Sequence, residues 1–251
     1  MHQPLKNKIA LVTGGSRGIG RATALKLASL GCDLIINYVR RFDAAEEVVE
    51  EISKKGGKAI AIKADIGEHE EIKVMFQEIK DKFGKLDILV NNAAFGALGP
   101  AMRIGRLTWN MTMNLNTGGL LLCTQQAVKL MENGGRIVNL SSLGSKACIP
   151  NYMPIGTAKA AVESMTRYLA CELIEKGIYV NAVSAGFVDT EALNAFKGID
   201  EMKEESVRRT PAGRIGTAED VANIIGFLCQ EDSNWIIGQT IIADGGISLK
   251  F

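Results

Sequence analysis

Ile9-Ala10-Leu11-Val12-Thr13-Gly14-Gly15-Ser16-Arg17-Gly18-Ile19-Gly20 is the stretch on which the fold turns. The apolar run from Lys8 to Thr13 reads as a strand covered on both faces, and Gly18 to Leu30 reads as a helix. The glycines between them follow Gly14-x-x-x-Gly18-x-Gly20 rather than G-x-G-x-x-G. The physics of the two patterns is shared. Glycines let the backbone turn sharply and approach a pyrophosphate, which then rests on the N–H groups of the helix N-terminus. A glycine cluster alone also fits any tight strand-to-helix turn; its place directly after the first strand favours the nucleotide.

Outward from this turn, strands and helices alternate to the end of the chain. Strands are expected at Asp33–Tyr38, Lys58–Ala64, Asp87–Asn91, Arg136–Ser141, Ile178–Ser184 and Gln239–Ala243. Helices are expected at Asp43–Lys55, Glu68–Phe83, Leu107–Met131, Pro154–Glu175 and Ala218–Cys229, the last opened by Thr217 and Asp220 at capping-box spacing. This order predicts an α/β fold: one Rossmann-like, doubly wound parallel sheet with helices on both faces. No repeat, linker or low-complexity segment interrupts it, so residues 1–251 read as a single domain. The stretch at about 189–212 stands apart, because it is long and polar and runs up to Pro211, as a lid over a site does.

Bulk properties narrow the function. Apolar residues make up 47% of 251, enough for a large core, and the net charge of +1 gives no bulk attraction to nucleic acid or a membrane. No apolar run approaches the roughly 20 residues of a membrane span, and a first strand starting near Lys8 leaves no room for a signal peptide. Cys32, Cys123, Cys148, Cys171 and Cys229 are scattered without a C-x-x-C pair, which fits buried hydrophobes in a reducing cytoplasm. His2 and His69 lie far apart and flank no cysteine, so no metal site is read.

The end of the second strand distinguishes NAD from NADP. A carboxylate there would hold the ribose 2′-hydroxyl, but the sequence is Asn37-Tyr38-Val39-Arg40-Arg41. Asp33 comes too early, and Asp43 is expected to cap the next helix. Arg40, with Arg17 of the glycine loop, can clamp a 2′-phosphate; the alternative is a pair of solvated surface arginines.

Thr13-Gly14-x-x-x-Gly18-x-Gly20, Asp65, Asn91-Asn92-Ala93-Ala94, Asn114, Ser141-Ser142, Asn181 to Thr190 and Gly238-Gln239…Asp244-Gly245-Gly246 together resemble the short-chain dehydrogenase/reductase family, in order and over nearly the whole chain. The resemblance implies cofactor contacts from Gly14, Ser16, Arg17, Gly18, Ile19, Gly20 and Ile66, an adenine contact at Asp65, and adenosine-side support from Asn92 and Ala93. It also implies that Gly186, Val188 and Thr190 meet the nicotinamide, and that Asn114 holds the long helix and a water chain toward Lys159. Asn114 also fits a purely structural kink. Ala185 stands where the family usually has proline.

The catalytic end departs from the family pattern Y-x-x-x-K. The lysine is Lys159, in Gly156-Thr157-Ala158-Lys159, and four residues before it stands Ile155, which has no proton to donate. Seven residues before it stands Tyr152. In a helix, positions −4 and −7 lie within roughly 60° of each other and about 4.5 Å apart along the axis, so both face the lysine's side. Pro154 reads as the first helical position, which puts Tyr152 just outside the helix. A tyrosine, six residues, then a lysine is similar to the enoyl-[acyl-carrier-protein] reductase branch. The unaltered glycine loop, with Ser142-Leu143-Gly144-Ser145 and Thr166-Arg167-Tyr168-Leu169-Ala170, resembles its type III members. An enoyl thioester takes hydride at C3 while charge develops on the carbonyl oxygen two atoms away, so its stabilising hydroxyl must reach further than a ketone's acid.

The resemblance implies an NADPH-dependent reduction of trans-2-enoyl-[acyl-carrier-protein] in fatty-acid elongation, with Tyr152 and Lys159 catalytic and Ser142 at the usual serine position, where it touches the thioester or only caps the strand. A reductase of another conjugated carbonyl, or a catalytically dead NADP-binding regulatory module, are the alternatives. A lysine among small residues near the sheet's C-terminal edge argues against the dead site. Acyl carrier protein is acidic, so Lys197, Lys203, Arg208 and Arg209 in the lid, with Arg103 and Arg106, are expected to form its dock or else an ordinary solvated face. The family implies a homotetramer, and the apolar stretches Leu120–Val128 and Ala160–Leu169 are available for pairing.

Overall fold

The computed structural model describes residues 3–191, 193 and 198–249. In chain order it runs β1 (Ile9–Val12), α1 (Gly18–Ser29), β2 (Asp33–Tyr38), α2 (Phe42–Lys54), β3 (Ala59–Lys63), α3 (His69–Phe83) and β4 (Ile88–Asn91). It continues through α4 (Arg106–Met113), a π turn (Asn114–Gly119), α5 (Leu120–Val128), β5 (Gly135–Ser142), α6 (Met153–Leu173), β6 (Ile178–Ala185), α7 (Ile199–Arg209), α8 (Ala218–Leu228) and β7 (Thr240–Ala243). The strands form one sheet in the order β3-β2-β1-β4-β5-β6-β7, every pairing parallel. The order reverses direction between β1 and β4, which opens a crevice above their C-terminal ends where nucleotides bind in such sheets.

Alternation along each strand explains the three layers. Ala10 and Val12 of β1 join a core with Leu27 of α1, Val48 of α2, and Val221 and Ile225 of α8. Ile9 and Leu11 point to the opposite face and pack with Ile72, Met75 and Ile79 of α3, Cys123 of α5 and Ala170 of α6. Burying both faces is what makes the strands continuous apolar runs.

The expected elements all form, with instructive differences. Asp43 lies in the first turn of α2 rather than at its cap, which is Arg41. Thr217 and Asp220 do make a reciprocal capping box on α8, and Arg214 anchors Asp220 with two further hydrogen bonds. The single helix expected from Leu107 to Met131 is divided by the π turn. There the helix comes so close to β3's exit that a Cβ on Gly119 would overlap the carbonyl of Ile66. The expected lid contains α7, which buries only Ser206 among its residues. Among the described residues, no helix is long and apolar enough to cross a membrane, and no group of His, Cys, Asp and Glu is arranged to hold a metal ion.

Candidate active site

The glycine loop is held from three sides. Thr13 Oγ1 donates to Val90 O and accepts from the backbone N–H groups of Asn92 and Ala93, at 3.0 Å each, which ties β1 to the end of β4. Asn92 Nδ2 donates to the carbonyls of Thr13 (2.8 Å) and Gly14 (3.1 Å). Asn37, buried at the end of β2, accepts from Gly14 N through Oδ1 and from Gly15 N through its backbone oxygen, and its Nδ2 donates to Ala64 O. Thr13 and Asn37 thus position the loop, and neither was singled out for it in sequence. A buried asparagine in the run Leu34-Ile35-Ile36-Asn37 is the signal that pointed there.

This cradle fits a dinucleotide. Gly14 takes a positive φ of 61°, and a Cβ on Gly20 would overlap both Gly14 O and Asn92 Nδ2, so the loop closes only with glycine at that position. Ser16 is half-buried in the loop, while Ile19 packs against the core below it. Helix α1 has no side-chain cap and no acid in its first turn, so its leading N–H groups are left for an anion. On the next strand ends, Asp65 Oδ1 accepts from Gly67 N at 2.8 Å and Ile66 is buried beside Gly119. Gly186 packs directly on Asp244, Val188 is buried and bridges to Gly216, and the Thr190 side chain faces Gly18 across the crevice. Arg17, Arg40 and Arg41 are all exposed on the rim. Arg17 and Arg41 pair with Glu191, whereas Arg40 has no ion pair among the described residues.

The catalytic side is assembled between β5 and α6. Tyr152 is the N-cap of α6, just outside the helix, with Pro154 in the first turn. Its ring lies over Gly144, where any side chain would overlap it, and its Oη is 3.3 Å from Ser142 Oγ. Burial raises the Tyr152 phenol above its ordinary pKa, and the Ser142 hydrogen bond pulls it part of the way back. The phenol therefore keeps its proton at neutral pH, as a donor to a developing oxyanion must. Ile155 instead packs on Gly96, where any side chain would overlap it, and puts hydrocarbon at the position four residues before Lys159.

Lys159 is buried, and its Nζ donates to Leu140 O at 2.7 Å. Desolvation lowers its pKa to about 8. One turn further along, the buried Glu163 accepts from Ser141 Oγ (2.8 Å) and Ser145 Oγ (2.5 Å). It clamps both ends of the turn that carries Ser142 and Gly144, a role not anticipated from sequence.

Asn114 stands where the long helix is kinked, as its structural reading expects. It lies exposed at the entrance of the π turn, while Asn116, two residues on, is buried and donates to Phe95 O (2.5 Å) and Thr112 O (2.8 Å). Two residues turn a helix by about 200°, so the two asparagines face opposite sides. Asn116 Oδ1 is buried without a hydrogen-bond partner among the described residues.

A glycine cradle at the switch point of a parallel sheet, with a half-buried tyrosine–serine pair and a buried lysine on the adjoining helix, defines a nucleotide-dependent oxidoreductase. The chain belongs to the short-chain dehydrogenase/reductase family, whose members are NAD(P)H-dependent. The family model described as "Enoyl-(Acyl carrier protein) reductase" matches residues 14–248. The chain is 40% identical to 1-cyclohexenylcarbonyl-CoA reductase of Streptomyces collinus, over 97% of this chain and 88% of that protein. It is 39% identical to a 3-oxoacyl-[acyl-carrier-protein] reductase of Staphylococcus aureus, over 96% and 98%. A short-chain dehydrogenase from Burkholderia cenocepacia, solved in complex with NADP, superposes with a TM-score of 0.91 at 34% identity, covering 98% of this chain and 99% of that one.

Proposed function

We propose that this reductase uses NADPH to reduce the carbon–carbon double bond of a trans-2-enoyl thioester, carried on acyl carrier protein in fatty-acid elongation. One observation carries this reading. The one phenol at the site among the described residues, Tyr152, reaches Ser142 from outside the helix, while Ile155 stands at the usual acid position. A ketone at the site would find no proton donor at Ile155. When bound, NADPH would supply the hydride for C3 and leave as NADP+, and a proton from solvent would complete the reduction at C2. Tyr152 Oη donates a hydrogen bond to the thioester oxygen as negative charge grows there, and Ser142 Oγ orients that hydroxyl. Lys159, cationic below about pH 8, favours negative charge nearby and is the residue for the cofactor ribose. Arg17 with Arg40 and Arg41 forms a basic rim suited to a 2′-phosphate, which supports NADPH over NADH.

Two relatives bear on the substrate in different ways. The Streptomyces relative is named for a conjugated thioester of coenzyme A, which supports double-bond reduction and keeps coenzyme A as a second carrier. The Staphylococcus relative is named for a ketone substrate on acyl carrier protein. Part of the expected basic dock is already committed: Lys203 pairs with Asp189, and Arg208 with Glu205. Lys197 lies outside the described residues. Arg103, Arg106 and Arg209 remain for a carrier. Assembly as a homotetramer is supported by Leu121 of α5 and Tyr168 of α6, exposed on helices available for pairing.

The test is NADPH oxidation with crotonyl and acetoacetyl thioesters side by side. Crotonyl thioester is expected to be reduced well and acetoacetyl thioester poorly. Comparable rates on both would return the protein to a broader ketone-reducing role.

A further inference from the structure

On the rim of the cofactor crevice one carboxylate oxygen meets two guanidiniums. Glu191 Oε2 is 2.8 Å from Arg41 Nη1 and 3.5 Å from Arg17 Nη1. The three residues come from three separate cofactor-facing segments. Arg17 is the N-cap of α1 in the glycine loop, Arg41 is the N-cap of α2 just past β2, and Glu191 follows Thr190 directly. All three side chains are more than half exposed, so a ligand reaches them without disturbing the core.

We propose that Glu191 is a cofactor-specificity residue: its carboxylate occupies two of the three rim arginines suited to the ribose 2′-phosphate, Arg17 and Arg41, so NADPH must displace it and NADH need not. This rests on the NADPH reading above. A carboxylate and a phosphate present the same kind of anionic oxygen to guanidinium N–H groups. The tethered carboxylate is therefore an internal competitor, present at an effective concentration fixed by its place in the chain. A phosphate of higher charge, with more oxygens to share between two forks, wins that competition. Its apparent affinity falls by the fraction of time the arginines are held by Glu191. NADH brings no group that calls for the arginines, so it binds with the bridge intact.

The experiment is titration calorimetry of the cofactor-free protein with 2′,5′-ADP and 5′-AMP, which differ only in the 2′-phosphate, and with NADPH and NADH. Neither mononucleotide carries a nicotinamide, so the outcome is independent of the substrate reduced. Exposed ion pairs are individually weak, so Glu191→Gln is expected to tighten 2′,5′-ADP and NADPH by about three- to tenfold and to leave 5′-AMP and NADH within about twofold. In an Arg41→Ala background the gain from Glu191→Gln is expected to shrink, because the shorter of the two pairs is gone. Unchanged 2′,5′-ADP affinity in Glu191→Gln overturns the proposal. So does equal tightening of 5′-AMP, which would mean the side chain merely obstructs the crevice. A wild-type protein that does not prefer 2′,5′-ADP over 5′-AMP removes the NADPH reading itself, and this proposal with it.

Discussion

On the β1–β3 side of the sheet, the site is made largely of backbone. Glycine conformations, leading N–H groups and carbonyls tied by Thr13, Asn37 and Asn92 form the cradle. On the β5–β6 side it is made of side chains. Tyr152, Ser142, Lys159 and Glu163 come from a turn, a strand end and a helix, and their roles depend on which of them meet. A backbone cradle tolerates no change of geometry and little change of residue, whereas a side-chain constellation can be rebuilt by moving one group. In this chain the phenol has moved from within α6 to its N-cap, and it still finds the serine.

The largest expected effect tests whether the moved phenol acts on the substrate alone. Tyr152→Phe keeps the ring over Gly144 and removes the hydroxyl. Turnover on crotonyl thioester should fall by about 10²–10³, as for loss of one oxyanion donor. The NADPH dissociation constant, measured by calorimetry, should hardly change, because the cradle is untouched. Full activity in this variant would break the contrast between the two halves.

That contrast also explains what was legible in the sequence. Alternating strands and helices, the glycine turn and the capping box at Thr217 are local patterns, and each formed where expected. The displacement of tyrosine was visible as spacing, since Ile155 and Tyr152 lie at fixed offsets from Lys159. What the sequence did not show were matters of long-range partnership. Nothing local distinguishes Asn114 from Asn116; the π turn rotates the second into the interior toward Phe95 O and leaves the first in solvent. Glu163 looks like a solvent-facing helix residue until Ser141 and Ser145 are seen to converge on it. Arg40 and Arg41 are neighbours in sequence, and only the fold shows which of them meets Glu191.

A second prediction sharpens the catalytic side through stability. Burial holds Lys159 at about 8 in the folded protein, against an ordinary value of 10.5. Between those values the unfolded chain binds more protons than the folded one, so unfolding free energy rises with pH across that window. Below pH 8 the full penalty is present, up to roughly 3 kcal/mol from the size of the shift. The buried thiols of Cys123 and Cys229, pushed up to about 12 from 9.0, act in the opposite sense above pH 9. They do so equally in wild type and Lys159→Met, so the difference between the two denaturation curves isolates the lysine. Lys159→Met should be the more stable protein at pH 7, and its advantage should decline toward pH 10.5. A difference that does not depend on pH would mean that Lys159 is not held as a desolvated cation.

A third prediction addresses the rim of the cradle. Arg17→Ala removes a guanidinium from the mouth of the glycine loop without entering the cradle itself. Loss of one charge-assisted phosphate contact corresponds to about 1.5–3 kcal/mol, so NADPH affinity should drop by about tenfold or more. NADH affinity should stay within about twofold. Equal losses for both cofactors would show that Arg17 supports the loop rather than recognising a phosphate.

The smallest effect concerns the carrier, and it turns on how charge is distributed rather than on its sum. The net charge of +1 gives no general attraction for an acidic protein. Within the expected dock, Lys203 and Arg208 are already neutralised by Asp189 and Glu205, which leaves Arg103, Arg106 and Arg209 as the exposed cations without such partners among the described residues. Rim charges of this kind act mainly on encounter, and a rise from about 0.1 M to 1 M salt shortens their reach from about 10 Å to about 3 Å. The KM for an enoyl group on acyl carrier protein should therefore rise several-fold over that range. The KM for a short coenzyme A thioester, which presents less charge to these residues, should rise less. A double substitution Arg103→Ala/Arg106→Ala should flatten the salt response for the protein-bound substrate and leave kcat unchanged, since neither residue belongs to the Tyr152–Ser142–Lys159 group. Identical salt responses for the two carriers would remove the docking role and favour coenzyme A as the physiological carrier, in line with the Streptomyces relative.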